Sequence, residues 1–510
     1  LRWWRSRHEV VWLFLIALAI RAAAAWINPA IVNDSVSLVR AAERIASDGF
    51  AAALTGNEHP LVPWLVARAP AGLDLETAAT ALSVFAGAFA VWPLHVLARR
   101  ACGRHAATAA CIVYAALPRA IGEASVPLTP TVLLPLFLSG LSLAVAAGLP
   151  SSKRHRIIRL VSAGLVCGLA YLCRPEGLVA VALAVTAAAS LARVGRRWTS
   201  AAIVAVAFVA VAAPYAIALS SHAGHLELSP KKGLARFVGS EDIPRDGAGE
   251  APEGRAVSDT LSTVEGALTA PVIALVLIGC VLPVRWRHRR SFVPRALLFG
   301  GAVLSLLLVL RLKVGWGYAG AKHMLPGALL LLPFAGEALL FLGVFIPRVR
   351  ARRRLAVVLA SFLAIPFAVH AILRPVGENQ ADERHLGEAI AAAAQSGGPA
   401  NVVIGSFAHP LVAYYADRSL RRTDGSAHDV PLVGRFGKLL KPGDTDELRA
   451  KMAAELRREG AQWIVLDLWR TASDGTDAPG RRLAALLAAD GVAGTPVVAA
   501  GAEITAFPVR

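Results

Sequence analysis

Charge is scarce in this chain. Only 17% of its 510 residues are charged, where a soluble domain carries about a quarter, and that deficit excludes an ordinary soluble fold. Cysteine is scarce too: Cys102, Cys111, Cys167, Cys173 and Cys280 all lie in or beside apolar segments, with none later in the chain. They form no CxxC pair and no zinc-type spacing, so neither a disulfide framework nor a classical metal-ligand cluster is supported. No glycine-rich phosphate loop follows a strand-like run in the C-terminal part, so a nucleotide site there is unsupported. Short-period repeats and inverted repeats of the transporter kind are also missing.

What is present is apolar. Hydrophobic residues make up 56% of the chain, the mean hydropathy is +0.55, and the apolar runs approach the ~20 residues that cross a bilayer. Spans are expected at 9–27, 76–98, 105–121, 126–148, 160–175, 177–192, 199–219, 267–284, 296–312, 323–346 and 355–373. The expected class is therefore a polytopic α-helical membrane protein with about eleven transmembrane helices. The many later spans favour an uncleaved first helix over a signal peptide, although Ala22-Ala23-Ala24 offers small residues for cleavage.

A formal charge of +18 would suggest nucleic acid in a soluble protein. Here the basic residues cluster between spans, as in Arg2/Arg5/Arg7, Arg99/Arg100/Arg104, Lys153/Arg154/Arg156/Arg159, Arg193/Arg196/Arg197, Arg285/Arg287/Arg289/Arg290/Arg295 and Arg348/Arg350/Arg352/Arg353/Arg354. These fall in alternate connections, which is the positive-inside pattern and argues against a nucleic-acid partner. It places the N-terminus inside the plasma membrane and three segments outside: 28–75, 220–266 and 374–510. Residues 1–373 form the expected transmembrane domain. In 28–75, residues 34–48 and 60–69 read as short helices lying on the membrane surface. The Gly-, Pro- and acid-rich stretch 220–266 reads as a mobile loop. In 374–510, β-type runs such as Asn401–Ser406 and Gln462–Leu468 alternate with helical patterns such as Asp444–Glu459, so a small α/β domain is expected.

The candidate chemical groups cluster near the outer ends of spans. Asp34 begins the first surface helix, where a carboxylate can take a proton from an attacking hydroxyl or simply cap the helix. Glu58 and His59, just before Pro60, form either an acid/base or substrate-orienting pair or an exposed turn. Arg174 and Glu176 sit at a span end, where the guanidinium suits a phosphate and the two residues can equally pair with each other. Arg311, Lys313, Lys322 and His323 are basic on the side that is normally depleted of charge, so they either meet an anionic ligand or snorkel. Lys231, in Ser229-Pro230-Lys231-Lys232-Gly233, is a weaker case of the same kind. A carboxylate near an acceptor hydroxyl and cations near a departing phosphate fit transfer of a sugar from a membrane-anchored polyprenyl phosphate.

Four motifs carry a family resemblance. They are Asn33-Asp34 with Ser47-Asp48-Gly49-Phe50; His59-Pro60-Leu61-Val62-Pro63-Trp64-Leu65; Arg174-Pro175-Glu176-Gly177; and Lys322-His323-Met324-Leu325-Pro326 with Pro333. In this order they resemble the GT-C-fold glycosyltransferases, especially the protein O-mannosyltransferase and lipid A aminoarabinose transferase branch. The resemblance implies a GT-C fold with an extracytoplasmic C-terminal domain, a polyprenyl-phosphate sugar donor, and a lipid, glycan or protein acceptor. It also implies Asp34 as the catalytic carboxylate and Arg174 and Lys322 as phosphate-binding cations. Two positions differ from the family pattern: Ser35 stands where many members have a second acid, and Leu128-Thr129-Pro130-Thr131 stands where an acid is common, with Glu123 nearby. These residues specify no cofactor; metal dependence is left open, and a divalent cation is compatible with the reaction. The competing readings are a transporter or lipid flippase and a non-catalytic envelope scaffold.

Overall fold

A computed structural model of the chain describes residues 2–230, 253–281, 289–316, 319–342, 349–377 and 380–395, except positions 55, 57, 71 and 151. Nearer the C-terminus it describes 404–406, 410–424, 432–435, 463–467, 497–498 and 504–508. Two compact units result: residues 1–27 with 37–375, and residues 28–36 with 376–510.

The chain runs through α1 (Arg2–Ile27), α2 (Asn33–Asp48), α3 (Leu61–Ala67), α4 (Leu75–Phe89), α5 (Val91–Ala101) and α6 (Arg104–Ala116). It continues through α7 (Pro118–Ala124), α8 (Thr129–Ala147), α9 (Lys153–Cys173), α10 (Gly177–Leu191) and α11 (Arg197–Ala223). Beyond these lie α12 (Glu253–Leu268), α13 (Ala270–Val281), α14 (Arg289–Trp316), α15 (Ala321–Leu342) and α16 (Val349–Leu373).

Among the described residues, eight helices are long and apolar enough to cross a membrane, or nine when α12 and α13 count as one bent span. The chain is a polytopic α-helical membrane protein. Two expected spans take shorter forms. Segment 105–121 is broken into α6 and α7 because Leu117, the residue before Pro118, is extended (φ −63°, ψ 116°), a conformation the proline ring imposes on its predecessor. Segment 177–192 is the 15-residue α10.

Local sequence explains the other breaks. Asp74 caps α4, accepting from the amides of Glu76 and Thr77 at 3.3 Å each. A break at Ala90 separates α4 from α5, three residues before Pro93, whose ring clashes with the carbonyl of Phe89. Between α12 and α13 the chain turns by 96° at Thr269, a β-branched residue held at φ 67°, which is a strained backbone state.

Helix α12 corrects the expectation of a mobile loop over 220–266. Ala256, Thr260, Thr263 and Ala267 are all buried and recur with helical period, so they form one packed face. The face is built from small and hydroxylated residues, which is why hydropathy alone misses it.

The core of the first unit runs through α5, α6, α8, α10, α13 and α15. Small residues set its closest approaches: a Cβ on Gly336 of α15 would lie 2.1 Å from the Ala106 carbonyl of α6, the small-residue packing typical of membrane bundles. Two arginines inside the bundle find partners. Arg295 meets Glu337 at 2.6 and 3.0 Å, and Arg21 donates to the carbonyls of Ala17 and Ala115 at 3.2 Å.

Among the described residues, the second unit contains α17 (Ala381–Gln395), α18 (Pro410–Asp424) and five strands. These are β1 (Ile404–Ser406), β2 (Leu432–Arg435), β3 (Trp463–Asp467), β4 (Val497–Val498) and β5 (Ile504–Pro508). The sheet order is β2-β1-β3-β5-β4, parallel among β2, β1 and β3 and antiparallel across β3-β5-β4. Helix α18 makes the β1–β2 crossover and α17 packs against it, with Leu386, Ile390, Val412 and Tyr415 buried. The segment 28–36 belongs to this unit and is tied down by three hydrogen bonds. Tyr415 Oη accepts from the Ile31 amide at 3.0 Å. The Gly377 amide donates to Asn28 Oδ1 at 2.8 Å, and Arg384 donates to the Pro29 carbonyl at 2.6 Å. The expected helix over 444–459 lies outside the described residues.

Candidate active site

Helix α9 ends at Cys173 because Arg174 precedes a proline and turns extended (φ −161°, ψ 152°). Three residues later the chain re-enters a helix at Gly177. A Cβ there would fall 2.2 Å from the Tyr171 amide nitrogen, so the tight reversal needs glycine. The turn directs Arg174 inward, where it is 7% exposed. Its Nε donates to both oxygens of Glu176 at 3.1 Å and its Nη2 donates to Oε1 at 2.8 Å. Nη1 donates to Thr129 Oγ1 at 3.1 Å, at the start of α8.

Burial opposes ionisation of both partners, yet each is held charged by the other. The carboxyl of Glu176 would be raised by desolvation. The Arg174 charge and its hydrogen bonds, with His323 adding, instead hold it well below the usual carboxylate range. Desolvation likewise lowers Arg174, but the charge and hydrogen bonds of Glu176, then Glu58, raise it above its ordinary value. The charges of Glu58 and His323 thus act on the Arg174–Glu176 pair.

Glu58 and His59 are adjacent in sequence, but the side-chain hydrogen bonds of the pair run to other elements. Ser37 of α2 donates to Glu58 Oε1 at 2.9 Å. His59 is fully buried rather than in an exposed turn. Its Nε2 lies 3.0 Å from Ser229 Oγ, and its ring packs on Tyr171 and Tyr215 with centroids 5.7 Å away. Tyr171 Oη donates to the Leu228 carbonyl, and Ser220 Oγ accepts from the Glu227 amide at 2.9 Å. The segment after α11, which turns at Gly224 (φ 74°), is therefore fastened at three points.

Lys322 and His323 open α15, both half-buried, and His323 Nδ1 lies 3.3 Å from the Gly320 carbonyl. Asp34 lies in the first turn of α2, is exposed, and falls in the segment grouped with the second unit. Lys231 lies outside the described residues. Glu123 is buried and pairs with Arg119 one helical turn earlier. No group of three or more His, Cys, Asp or Glu that could hold a metal occurs among the described residues.

Ser37, Thr129, Tyr171, Tyr215 and Ser229 belong to this region without having been marked by sequence. Thr129 had a signal, since it lies in the Leu128-Thr129-Pro130-Thr131 stretch where an acid is common among the proteins this sequence resembles, and Tyr171 lies one helical turn before Arg174. Nothing in the sequence points to Ser37, Tyr215 or Ser229.

The family described as dolichyl-phosphate-mannose-protein mannosyltransferase matches residues 58–217. Among solved structures, ArnT from Cupriavidus metallidurans in the apo state is similar over 99% of this chain and 98% of its own, with 17% identity and a TM-score of 0.64. The same protein bound to undecaprenyl phosphate matches over 98% and 97%, with 15% identity and a TM-score of 0.63. The chain has the GT-C fold. An archaeal oligosaccharyltransferase, AglB from Archaeoglobus fulgidus, in complex with an inhibitory peptide and a dolichol-phosphate, shares it at 13% identity and a TM-score of 0.57 over 92% of this chain and 70% of its own. No curated protein matches the sequence. Within this GT-C frame, the family match opens at Glu58 and spans Thr129, Tyr171, Arg174 and Glu176, while Asp34 and Lys322 lie outside it.

Proposed function

We propose that this protein is a glycosyltransferase of the plasma membrane that takes a sugar from a polyprenyl-phosphate donor and places it on an acceptor hydroxyl at the extracytoplasmic face. The observation that carries the reading is the buried Arg174–Glu176 ion pair where α9 passes into α10, in a chain similar end to end to a protein that binds undecaprenyl phosphate. A phosphate leaving group needs cations placed before the reaction begins. All three guanidinium nitrogens of Arg174 already donate to Glu176 and Thr129, so its first part is to fix the local field. Lys322 at the head of α15 supplies the main cationic contact with the phosphate, with His323 as a hydrogen-bond donor and Arg174 and Lys231 as further contacts.

In the reaction the acceptor oxygen bonds to the anomeric carbon as the bond from that carbon to the phosphate oxygen breaks. The pair of electrons leaves on the polyprenyl phosphate. Asp34 receives the acceptor proton, an assignment that rests on its motif. Glu58, oriented by Ser37, and His59 line the acceptor side. The donor is a lipid-linked pentose or hexose, and the acceptor is a lipid, a glycan or a protein hydroxyl. The positive-inside pattern supports an extracytoplasmic site with the N-terminus inside and the C-terminal unit outside.

The test is sugar transfer in proteoliposomes from a radiolabelled polyprenyl-phosphate sugar, supported by the profile of lipid-linked sugars in cells lacking the gene. Asp34→Asn should cut turnover by at least about 100-fold, within the range of a lost general base, and Lys322→Gln should raise KM for the donor. Full turnover in Asp34→Asn would falsify the assignment, and substrate flux without transfer would point to a transporter.

A further inference from the structure

Helix α9 is 21 residues long, about 30 Å at 1.5 Å per residue, so its start lies one bilayer thickness from Arg174. At that far end, the end of α8 and the starts of α9 and α11 meet the end of α10 around a cavity of about 350 Å³. Three of its lining residues are arginines: Arg156, Arg193 and Arg196. Its floor is apolar, formed by Leu160, Ala188 and Leu191. The floor is tightly closed, since a Cβ on Gly148 would lie 2.5 Å from Leu191 Cβ.

We infer that this cavity is a binding site for the phosphate headgroup of an anionic membrane lipid. Charge is the first argument. No carboxylate lines the cavity. The single acid between residues 147 and 200 is Glu176, which sits at the other end of α9 and is paired with Arg174. Hydrogen bonding is the second. Arg156 Nε is shielded from solvent and has no hydrogen-bond partner among the described residues, a costly state for a charged donor that a small turn of the side chain onto a phosphate oxygen relieves. Arg159 is not part of the site, because it donates to the Ala146 carbonyl at 2.9 Å and holds the end of α8.

Depth selects a lipid over free phosphate. Trp198, 85% exposed in the first turn of α11 at the same end of the bundle, is the residue type that lies at headgroup level. Guanidinium forks suit the phosphodiester better than ammonium groups do. The inference is independent of the proposed transferase activity.

The experiment uses the full chain in detergent, with native mass spectrometry reading retained lipid after addition of phosphatidylglycerol or phosphatidylcholine. A parallel arm adds inorganic phosphate as competitor. The variant R156Q/R193Q/R196Q should retain phosphatidylglycerol at least tenfold less well than wild type. K153Q/R154Q/R197Q, which removes the same charge from neighbouring residues outside the cavity, should stay within twofold. If the triple variant does not fold, Arg156→Gln alone should weaken retention at least threefold. Equal losses in the two triple variants would show diffuse surface attraction and overturn the site. Equal retention of phosphatidylcholine, or complete displacement of lipid by millimolar phosphate, would overturn the lipid assignment.

Discussion

Replacing Glu176 by glutamine removes a charge while keeping shape, and the structure fixes what should follow. Arg174 has a side chain only 8% exposed, and three of its four hydrogen bonds end on Glu176. In Glu176→Gln the guanidinium keeps Thr129 and one amide oxygen but loses its counter-charge. Breaking one side of a buried pair costs roughly 3–5 kcal/mol, and the surviving amide bond places this case near the lower figure. The double variant Arg174→Met/Glu176→Leu removes both charges and leaves only the Thr129 hydroxyl to repartner. It should fall within about 1 kcal/mol of wild type, since well-packed apolar replacements of buried pairs are often neutral. The assay is denaturant unfolding in micelles followed by circular dichroism, and the prediction is an order: wild type and the double variant together, the single variant clearly below. A double variant less stable than Glu176→Gln would refute the reasoning. The pair also fixes a pH dependence. Because the folded pKa of Glu176 is depressed, its stabilisation is fully present above the ordinary value of 4.5 and is lost only as pH falls through the depressed value. Arg174, raised above its ordinary value, stays charged throughout, so the pair contributes no change in stability between pH 6 and pH 9.

Two further substitutions test the long-range ties. His59→Ala empties a buried site against Tyr171 and Tyr215 and removes the His59 contact of Ser229 Oγ, so it should cost about 2–4 kcal/mol, the range for truncating a core side chain. Hydrogen exchange over residues 226–229 should accelerate at least tenfold, and unchanged protection there would show that the segment is held by other means. Tyr415→Phe leaves the buried Ile31 amide without its acceptor at a cost of about 1–3 kcal/mol. Faster exchange at that amide, with the α18 amides unchanged, is the expected signature, and equal acceleration across α18 would mean that the unit itself had loosened.

Span positions were legible because a bilayer imposes length and apolarity on a local stretch of chain. Eight of the expected apolar runs correspond to single long helices, or in the case of 76–98 to one span made of α4 and α5. The break at Pro118 was written in the sequence as well, yet a hydropathy window averages across it. Helix α12 was hidden for a different reason. Its buried face carries alanine and threonine, whose burial depends on close packing and not on transfer energy. The bend at Thr269 had no local sign, because φ 67° at a threonine is the product of the packing around it.

The site divides along the same physical line. Arg174 and Glu176 lie two residues apart and Pro175 sets the turn between them, so their mutual pair was one of two readings open from the sequence, and the structure forms it. Charge neutralisation at short range needs no knowledge of the fold. Ser37 and Glu58 are 21 residues apart, Arg174 and Thr129 are 45 apart, and His59 and Ser229 are 170 apart. Those partners were silent because a hydroxyl has no periodicity and no fixed spacing; it is recruited wherever the packed helices leave a donor or acceptor in need. The paired state of Arg174 changes what the sequence can be asked. A guanidinium at a span end marks a place where charge is tolerated, but only its partners decide whether that charge is left over for a ligand. Here all three of its nitrogens already donate to Glu176 and Thr129, so under the proposed transferase reading the main phosphate contact is Lys322, half-buried with His323 at the start of a buried helix.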